Sequence, residues 1–281
     1  MLQIKLNSLK RANNTMTESL RELRTNIKFC GSDIKTILFT SVMPNEGKST
    51  VVMDLARSMI DAGNRVLIID ADMRKSVLVG RHKAKRTDGG SIGGLSHLLS
   101  GQKRLEEVVY QTQFSQLLMI FAGPSVINPT ELLENSYFPK LIHEVRGLFD
   151  YVLIDCAPIG AAIDAAVVAK ECDGAVMVIA QGAVSSRAVV AAREQLGASG
   201  IRILGAVLNK VNMQRNSYYG KYYGKYYGKY YGKYYGKYYG RENPETASKR
   251  AEQYRENEKE IDQEALKQAS DNIARIEDSG Q

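Results

Sequence analysis

Six short apolar runs rich in β-branched residues constrain the fold of this chain more than any other feature. They are TILFTSV (36–42), RVLIID (65–70), LLMIFA (117–122), YVLID (151–155), AVMVIA (175–180) and RILGAVLN (202–209). Each lacks the polar alternation of a half-exposed strand. Each therefore reads as a strand covered on both faces, the habit of parallel sheets. Helical patterns separate most of them, at 48–62, where Gly63-Asn64 stops the helix, and at 129–148, 161–171 and 184–198. Strands alternating with helices build right-handed βαβ units, so the expected fold is α/β, a doubly wound, mostly parallel sheet over residues 36–216.

The flanks read differently. Residues 1–35 are polar and helix-prone, with Leu20, Leu23 and Ile27 at helical spacing. Residues 75–94 are basic and then Gly-rich, which predicts a mobile surface loop. Residues 218–237 are five copies of Tyr-Tyr-Gly-Lys, and Tyr-Tyr-Gly-Arg follows at 238–241. A glycine and a cation in every four residues cannot build a packed core, so the 217–241 segment is expected to be disordered. Residues 242–281 are highly charged, and their composition fits a solvated helix or an unstructured tail equally.

Composition narrows the class. Across 281 residues, 44% hydrophobic and 25% charged side chains suit a globular protein. No apolar run approaches the 18 residues of a membrane-spanning helix, and the first residues lack the apolar core of a secretion signal. Cys30, Cys156 and Cys172 are too few for a disulfide framework, and His82, His97 and His143 lie too far apart for a structural zinc site.

The strongest chemical signal is Ser41-Val-Met-Pro-Asn-Glu-Gly-Lys-Ser-Thr50. It follows a strand and opens a helix, the context a phosphate-binding loop requires. Loop and helix N–H groups would cradle phosphate, so Pro44, Glu46, Gly47, Lys48, Ser49 and Thr50 are candidate nucleotide contacts. Lys48 would bridge the outer phosphates of ATP and the Ser49 hydroxyl would ligate Mg²⁺. The usual loop has glycine where this chain has Val42. Two strand ends add acids, Asp70 and Asp72 after the 65–70 run and Asp155 after the 151–155 run, where ligands of open α/β sheets bind. Asp155 and Asp72 are candidate Mg²⁺ ligands; Asp70 is the first candidate for a general base, with Asp72 its rival. Asn209 and Lys210, at another strand end, are candidates to touch the adenine.

With these motifs the chain resembles the bacterial protein-tyrosine kinases, a P-loop NTPase-like family. Three apolar residues before Asp70-x-Asp72-x-Arg74 resemble that family's additional Walker motif. Gly94-Leu-Ser-His-Leu-Leu-Ser-Gly101, Asn128-Pro-Thr-Glu-Leu-Leu133 and Val207-Leu-Asn-Lys210 are further matches. The resemblance implies that Arg74 joins Lys48, Asp70 and Asp72 in catalysis. It implies ring assembly through Glu18, Arg21 and Arg24, with residues 1–35 as the oligomerisation segment. It also implies autophosphorylation between subunits on Tyr218, Tyr219, Tyr222, Tyr223, Tyr226, Tyr227, Tyr230, Tyr231, Tyr234, Tyr235, Tyr238 and Tyr239. The closest type is the kinase component of capsular or exopolysaccharide assembly. It acts at the inner face of the cell membrane with a transmembrane chain-length regulator as activator and a cognate phosphatase as partner. Two rival readings are a positioning ATPase that binds DNA or membrane and a non-catalytic adaptor. Against the first, Met43 stands where such ATPases carry a signature lysine. The repeats also suit single-stranded nucleic acid, through aromatic stacking and cations, but no specific nucleic-acid partner is expected.

Overall fold

The computed structural model describes residues 1–8, 14–212 and 262–275. The 217–241 repeats lie outside them. The described strands form one sheet, and it contains the predicted parallel set: β2 (Thr36–Ser41), β3 (Val66–Asp70), β6 (Leu117–Ile120), β7 (Tyr151–Asp155), β8 (Gly174–Ala180) and β9 (Ile203–Asn209). β9 is an edge strand whose residues are exposed or half-buried, so that run is not covered on both faces as its apolar pattern predicted. The spatial order β6-β3-β7-β2-β8-β9 places β7 between β3 and β2, so three strand ends that carry loop and acid motifs stand side by side. Every residue of β2 and β3 is buried. Each such strand is flanked on both faces, which explains runs without polar alternation.

The helices follow the sequence less closely. α1 (Asn14–Phe29) and α2 (Lys48–Ile60) lie on one side, where Leu20 and Ile27 join Val52, Leu55 and Met59 in one core. Short α3 (Leu78–Arg81), α4 (Leu95–Leu99) and α5 (Pro129–Glu134) precede α6 (Tyr137–Leu148), α7 (Asp164–Ala169) and α8 (Ser186–Gly197). The expected single helix over 129–148 is two. The Asn135 Oδ1 accepts from the Tyr137 N–H at 3.0 Å, and its Nδ2 donates to the Leu99 carbonyl at 2.7 Å. Asn135, the C-cap of α5, thus forms a side-chain turn between the two helices instead of continuing the first.

Three edges depart from expectation. Within the predicted helical segment 1–35, β1 (Leu2–Lys5) is a strand that pairs in parallel with β5 (Val109–Gln111). Leu2, Ile4 and Leu6 alternate with polar residues, and Ile4 and Leu6 are buried. That period of two marks a strand even in a polar stretch. The basic segment 75–94 is not a mobile loop. Buried Leu78, His82 and Ala84 anchor it, and β4 (Lys85–Arg86) pairs antiparallel with β1. In the charged C-terminal region, α9 (Gln263–Ala274) is helical but not wholly solvated, because Leu266, Ala269 and Ile273 enter the core beside α6. Among the described residues no helix is long and apolar enough to cross a membrane.

One glycine holds the chain against the sheet by close approach. A Cβ at Gly94 would stand 2.2 Å from the Phe121 carbonyl and 2.3 Å from the Gly123 nitrogen, both backbone atoms that cannot swing aside. The Gly94→Ala variant is expected to lose about 2–3 kcal/mol, the upper part of the overpacking range. Urea unfolding will read this as a lower midpoint at unchanged slope.

Candidate active site

The loop after β2 is shaped by its backbone. Asn45 (φ 68°) and Gly47 (φ 90°) take the left-handed conformation on either side of Glu46. Alternation of this kind turns successive N–H groups into one concavity, and α2 begins directly behind it. The Glu46 side chain points into the protein. It accepts from the Met43 N–H at 2.8 Å and, across the sheet, from the Ala180 N–H at 3.0 Å. The Asn209 side chain donates to the Glu46 carbonyl at 2.9 Å. Through these bonds Glu46 and Asn209, both candidate nucleotide contacts, tie the loop to the ends of β8 and β9. Lys210 follows in a left-handed backbone position (φ 57°).

Val42 sits where phosphate loops usually have glycine, and the structure explains why it fits. Its carbonyl accepts from the Gly160 N–H at 3.2 Å, and a Cβ at Gly160 would lie 2.4 Å from that oxygen. That contact is to the Val42 backbone; its side chain, at a position without positive φ, packs into the core.

Lys48, in the first turn of α2, forms a buried ion pair with Asp155 at the end of β7. Burial by itself would lower the ammonium pKa, but the Asp155 carboxylate outweighs it and the net shift is upward. Asp70 is the cross-strand register partner of Asp155. Burial, then repulsion from Asp155, push its carboxyl up to about 7. Ser76 Oγ donates to it at 2.6 Å and the Asp72 N–H at 3.2 Å. Asp72 is half-buried and accepts from the Lys75 N–H at 3.0 Å. Ser49 is buried next to Lys48, while the Thr50 hydroxyl accepts from Arg81 at 2.7 Å. Pro44 lies exposed on the outer loop.

Arg74 is held by a residue that sequence reasoning missed. Asp164, fully buried at the start of α7, takes a bidentate pair from Arg74 at 2.6 and 2.9 Å. Thr130 donates to the same carboxylate at 2.6 Å and accepts from Arg74 at 3.0 Å. These bonds hold the Asp164 carboxyl below its ordinary value although burial opposes them. The available signal was Thr130 within the Asn-Pro-Thr-Glu match; nothing in sequence singled out Asp164. Cys156 beside Asp155 is fully buried, which drives its thiol upward and keeps it an inert packing group.

The assembly residues divide. Glu18 and Arg21 form an exposed pair on α1, whereas Arg24 donates to the Ser58 carbonyl and hydroxyl of α2, a bond within the chain. The candidate phosphorylation sites lie outside the described residues.

The donors here suit a hard cation. Asp72, Asp155 and Ser49 offer oxygen only, which matches Mg²⁺. Among the described residues no three carboxylate, imidazole or thiolate groups converge on one metal position.

Two outcomes test this geometry. Asp164→Asn leaves shape intact but removes the charge that orients Arg74. It is expected to lower kcat with little change in the ATP KM, and Arg74→Lys should resemble it. Asp70 gives a pH signature. Its folded pKa lies above the unfolded value near 3.9, so between pH 4 and 7 the folded state holds the extra proton and stability falls as pH rises. Asp70→Asn should flatten that slope and, in metal-free buffer at pH 8, be more stable than wild type by at most about 4 kcal/mol. Urea titrations across pH will show this.

Comparison with known proteins agrees with the geometry. An AAA domain family model matches residues 34–216. Tyrosine-protein kinase CpsD of Streptococcus agalactiae is 42% identical over 217 residues, 77% of this chain and 93% of that protein. The chimerical protein CapA2B2 superposes with a TM-score of 0.66 at 28% identity, over 74% of this chain and 92% of that one. The kinase domain of the Escherichia coli tyrosine kinase ETK gives 0.66 at 28%, over 72% and 78%. A P-loop-type doubly wound sheet, a lysine-tipped loop and this extent of identity establish that the chain belongs to the bacterial tyrosine-protein kinases.

Proposed function

We propose that this kinase transfers the γ-phosphate of ATP to tyrosines of its own C-terminal repeat, between subunits, and thereby regulates capsular or exopolysaccharide synthesis. The observation that carries the reading is the buried Lys48–Asp155 pair beside Asp70. It sets a cation and two acids at adjacent strand ends, directly behind a phosphate-shaped loop. In the ATP complex Lys48 exchanges Asp155 for the outer phosphates and neutralises charge that builds on the transferred group. Asp155, Asp72 and Ser49 would hold Mg²⁺, which when bound supplies further neutralisation of the phosphates. Arg74, pinned by Asp164 and Thr130, presents its remaining donors at the same mouth.

A tyrosine hydroxyl must lose its proton as it attacks. Asp70 has a proton affinity near neutrality, where a base works best, and Asp72 has the greater exposure. Separate Asp70→Asn and Asp72→Asn pH–rate profiles assign the base as the variant that loses the acidic limb. Each Tyr-Tyr-Gly-Lys unit offers two phenols, a glycine that lets the backbone come close and a cation drawn to the acids. Neighbours in a ring, assembled through the exposed Glu18–Arg21 face of α1, would supply acceptor chains. Each phosphotyrosine adds about −1.5 to −2 charge against the five repeat lysines, so repulsion would favour ring release. A transmembrane chain-length regulator as activator and a cognate phosphatase complete the proposed setting at the inner membrane face.

Purified protein with Mg-ATP, with and without the cytoplasmic segment of a candidate activator, tests the reading by phosphate mapping. Phosphate should appear on residues 218–239, and Lys48→Met should lower the labelling rate by about 10²-fold or more. Labelling that survives Lys48→Met overturns the reading. Phosphate release without phosphotyrosine favours the positioning ATPase.

A further inference from the structure

We propose that Met43, Ile127 and Ile163 form an acceptor-binding collar around the active site, which takes the aromatic ring of a substrate tyrosine while its hydroxyl reaches the acids below. Strand order sets the arrangement. β6, β3, β7 and β2 are neighbours in that order and run parallel, so the loops that leave their C-terminal ends stand in a row at one edge of the sheet. The end of β3 and the loop after it carry Asp70, Asp72 and Arg74. Ile127 lies after β6 on one side of them, and Ile163 and Met43 lie after β7 and β2 on the other. Apolar side chains therefore bracket the acids from both directions. Two polar contacts draw the row together. The Gly160 N–H donates to the Val42 carbonyl at 3.2 Å, which joins the loops of Ile163 and Met43. Arg74 bonds both Asp164, next to Ile163, and Thr130, three residues past Ile127.

Local bonding leaves each residue facing water. Both backbone groups of Met43 are engaged, its N–H by Glu46 at 2.8 Å and its carbonyl by the Ser41 hydroxyl at 2.9 Å, and the residue is 49% exposed. The Ile163 carbonyl accepts from the Ala166 N–H at 2.8 Å as α7 begins; Asp164 turns inward and Ile163 stays 47% exposed. Ile127 follows Val126, which packs on the core, and is itself 96% exposed. Single exposed apolar residues are ordinary. Three on neighbouring loops around one charged pocket suit a ligand with an apolar body and a polar tip. Tyrosine, the acceptor on which this family acts, has that form. The buried Lys48, Asp70 and Asp155 give its ring no favourable contact, whereas Met43 offers a polarisable thioether and the two isoleucines offer aliphatic surface. A serine or threonine acceptor is too short and polar to gain from the collar, which thereby selects tyrosine. This role depends on the Lys48 pocket being the place of transfer.

The test uses the full chain. Met43→Gln, Ile127→Thr and Ile163→Thr keep side-chain shape and remove apolar character, and Val190→Thr, at an exposed position of α8, is the control. The substrate is a fluorescent peptide with one tyrosine between glycine and lysine; phenylalanine and serine versions serve as ligands. In the triple variant the KM for the tyrosine peptide should rise about tenfold or more while the ATP KM is unchanged. By anisotropy, with Mg²⁺ and a non-hydrolysable ATP analogue, wild type should bind the tyrosine and phenylalanine peptides alike and the serine peptide about tenfold more weakly. The triple variant should bind all three alike, and Val190→Thr should match wild type. An unmoved peptide KM, an equal loss in Val190→Thr, or equal wild-type affinity for the phenylalanine and serine peptides overturns the collar. So does a fall in assembly size by light scattering with the peptide KM unmoved, which makes this face a contact between copies. If transfer survives Lys48→Met, or no peptide is labelled, the pocket reading fails and the anisotropy result alone decides the collar.

Discussion

A buried lysine and carboxylate at the end of a parallel sheet govern the rest of this structure. Lys48 and Asp155 are both nearly inaccessible, at 7% and 1% side-chain exposure, with Asp70 equally buried one strand away. Taking such charges out of water costs more than their attraction returns, and apolar residues of similar volume would hold the sheet as well or better. Burial first, and then the Asp155 charge, make Asp70 hold its proton to about pH 7. Above that pH two acids face one cation, and under the proposed function Mg²⁺ and a lysine-rich acceptor segment would supply the missing positive charge.

Maintaining that imbalance requires a rigid frame, and the frame is made of strand-end ties. Glu46 spans from its own loop to β8, Asn209 reaches back from β9, and Gly160 approaches Val42 from the facing loop. At the opposite end of β2, Asp173 accepts from the Lys35 and Thr36 N–H groups at 2.9 and 2.8 Å and from Arg146. β2 is therefore fixed at its entry as well as at its exit. The loop that ends it cannot shift toward or away from Asp155 without breaking bonds to three other strands or loops. Arg74, by contrast, is held from the side by Asp164 and Thr130, so its guanidinium keeps an orientation that the 43% exposure of its side chain would not by itself impose.

The central sheet was legible because burial on both faces leaves an unmistakable mark, an unbroken apolar run, and because strand-end acids are conspicuous against it. The candidate residues that the structure brings together are those whose pattern is local in sequence: Lys48 and Ser49 open α2, and Asp70, Asp72 and Asp155 lie at or just past strand ends. What sequence hid is what depends on long-range contact. Asp164 binds Arg74 across 90 residues. The side-chain bonds of Glu46 to the Ala180 N–H and of Asn209 to the Glu46 carbonyl likewise join groups far apart in sequence. The edge strands were hidden for another reason. β4 has two residues and β5 three, too few for any period to register; β4 is paired with β1, and β5 lies between β1 and β6. At the break, the Asn135 side chain bonds the Tyr137 N–H and, 36 residues back, the Leu99 carbonyl, a contact that sequence does not reveal.

A rigid pocket and a repetitive acceptor solve complementary problems. In-line transfer demands that one oxygen be held within a fraction of an ångström, which the tied loops provide. In the proposed transfer to the chain's own repeat, the acceptor would carry no such demand on its register, because a shift of four residues presents the same Tyr-Tyr-Gly-Lys face. Twelve equivalent phenols would multiply the encounter frequency without any one being necessary. Under the same proposal each transfer would alter the next: a phosphate placed on one repeat would offset nearby lysines, weaken the attraction of that stretch for the acidic site and leave unmodified repeats the better-matched substrates.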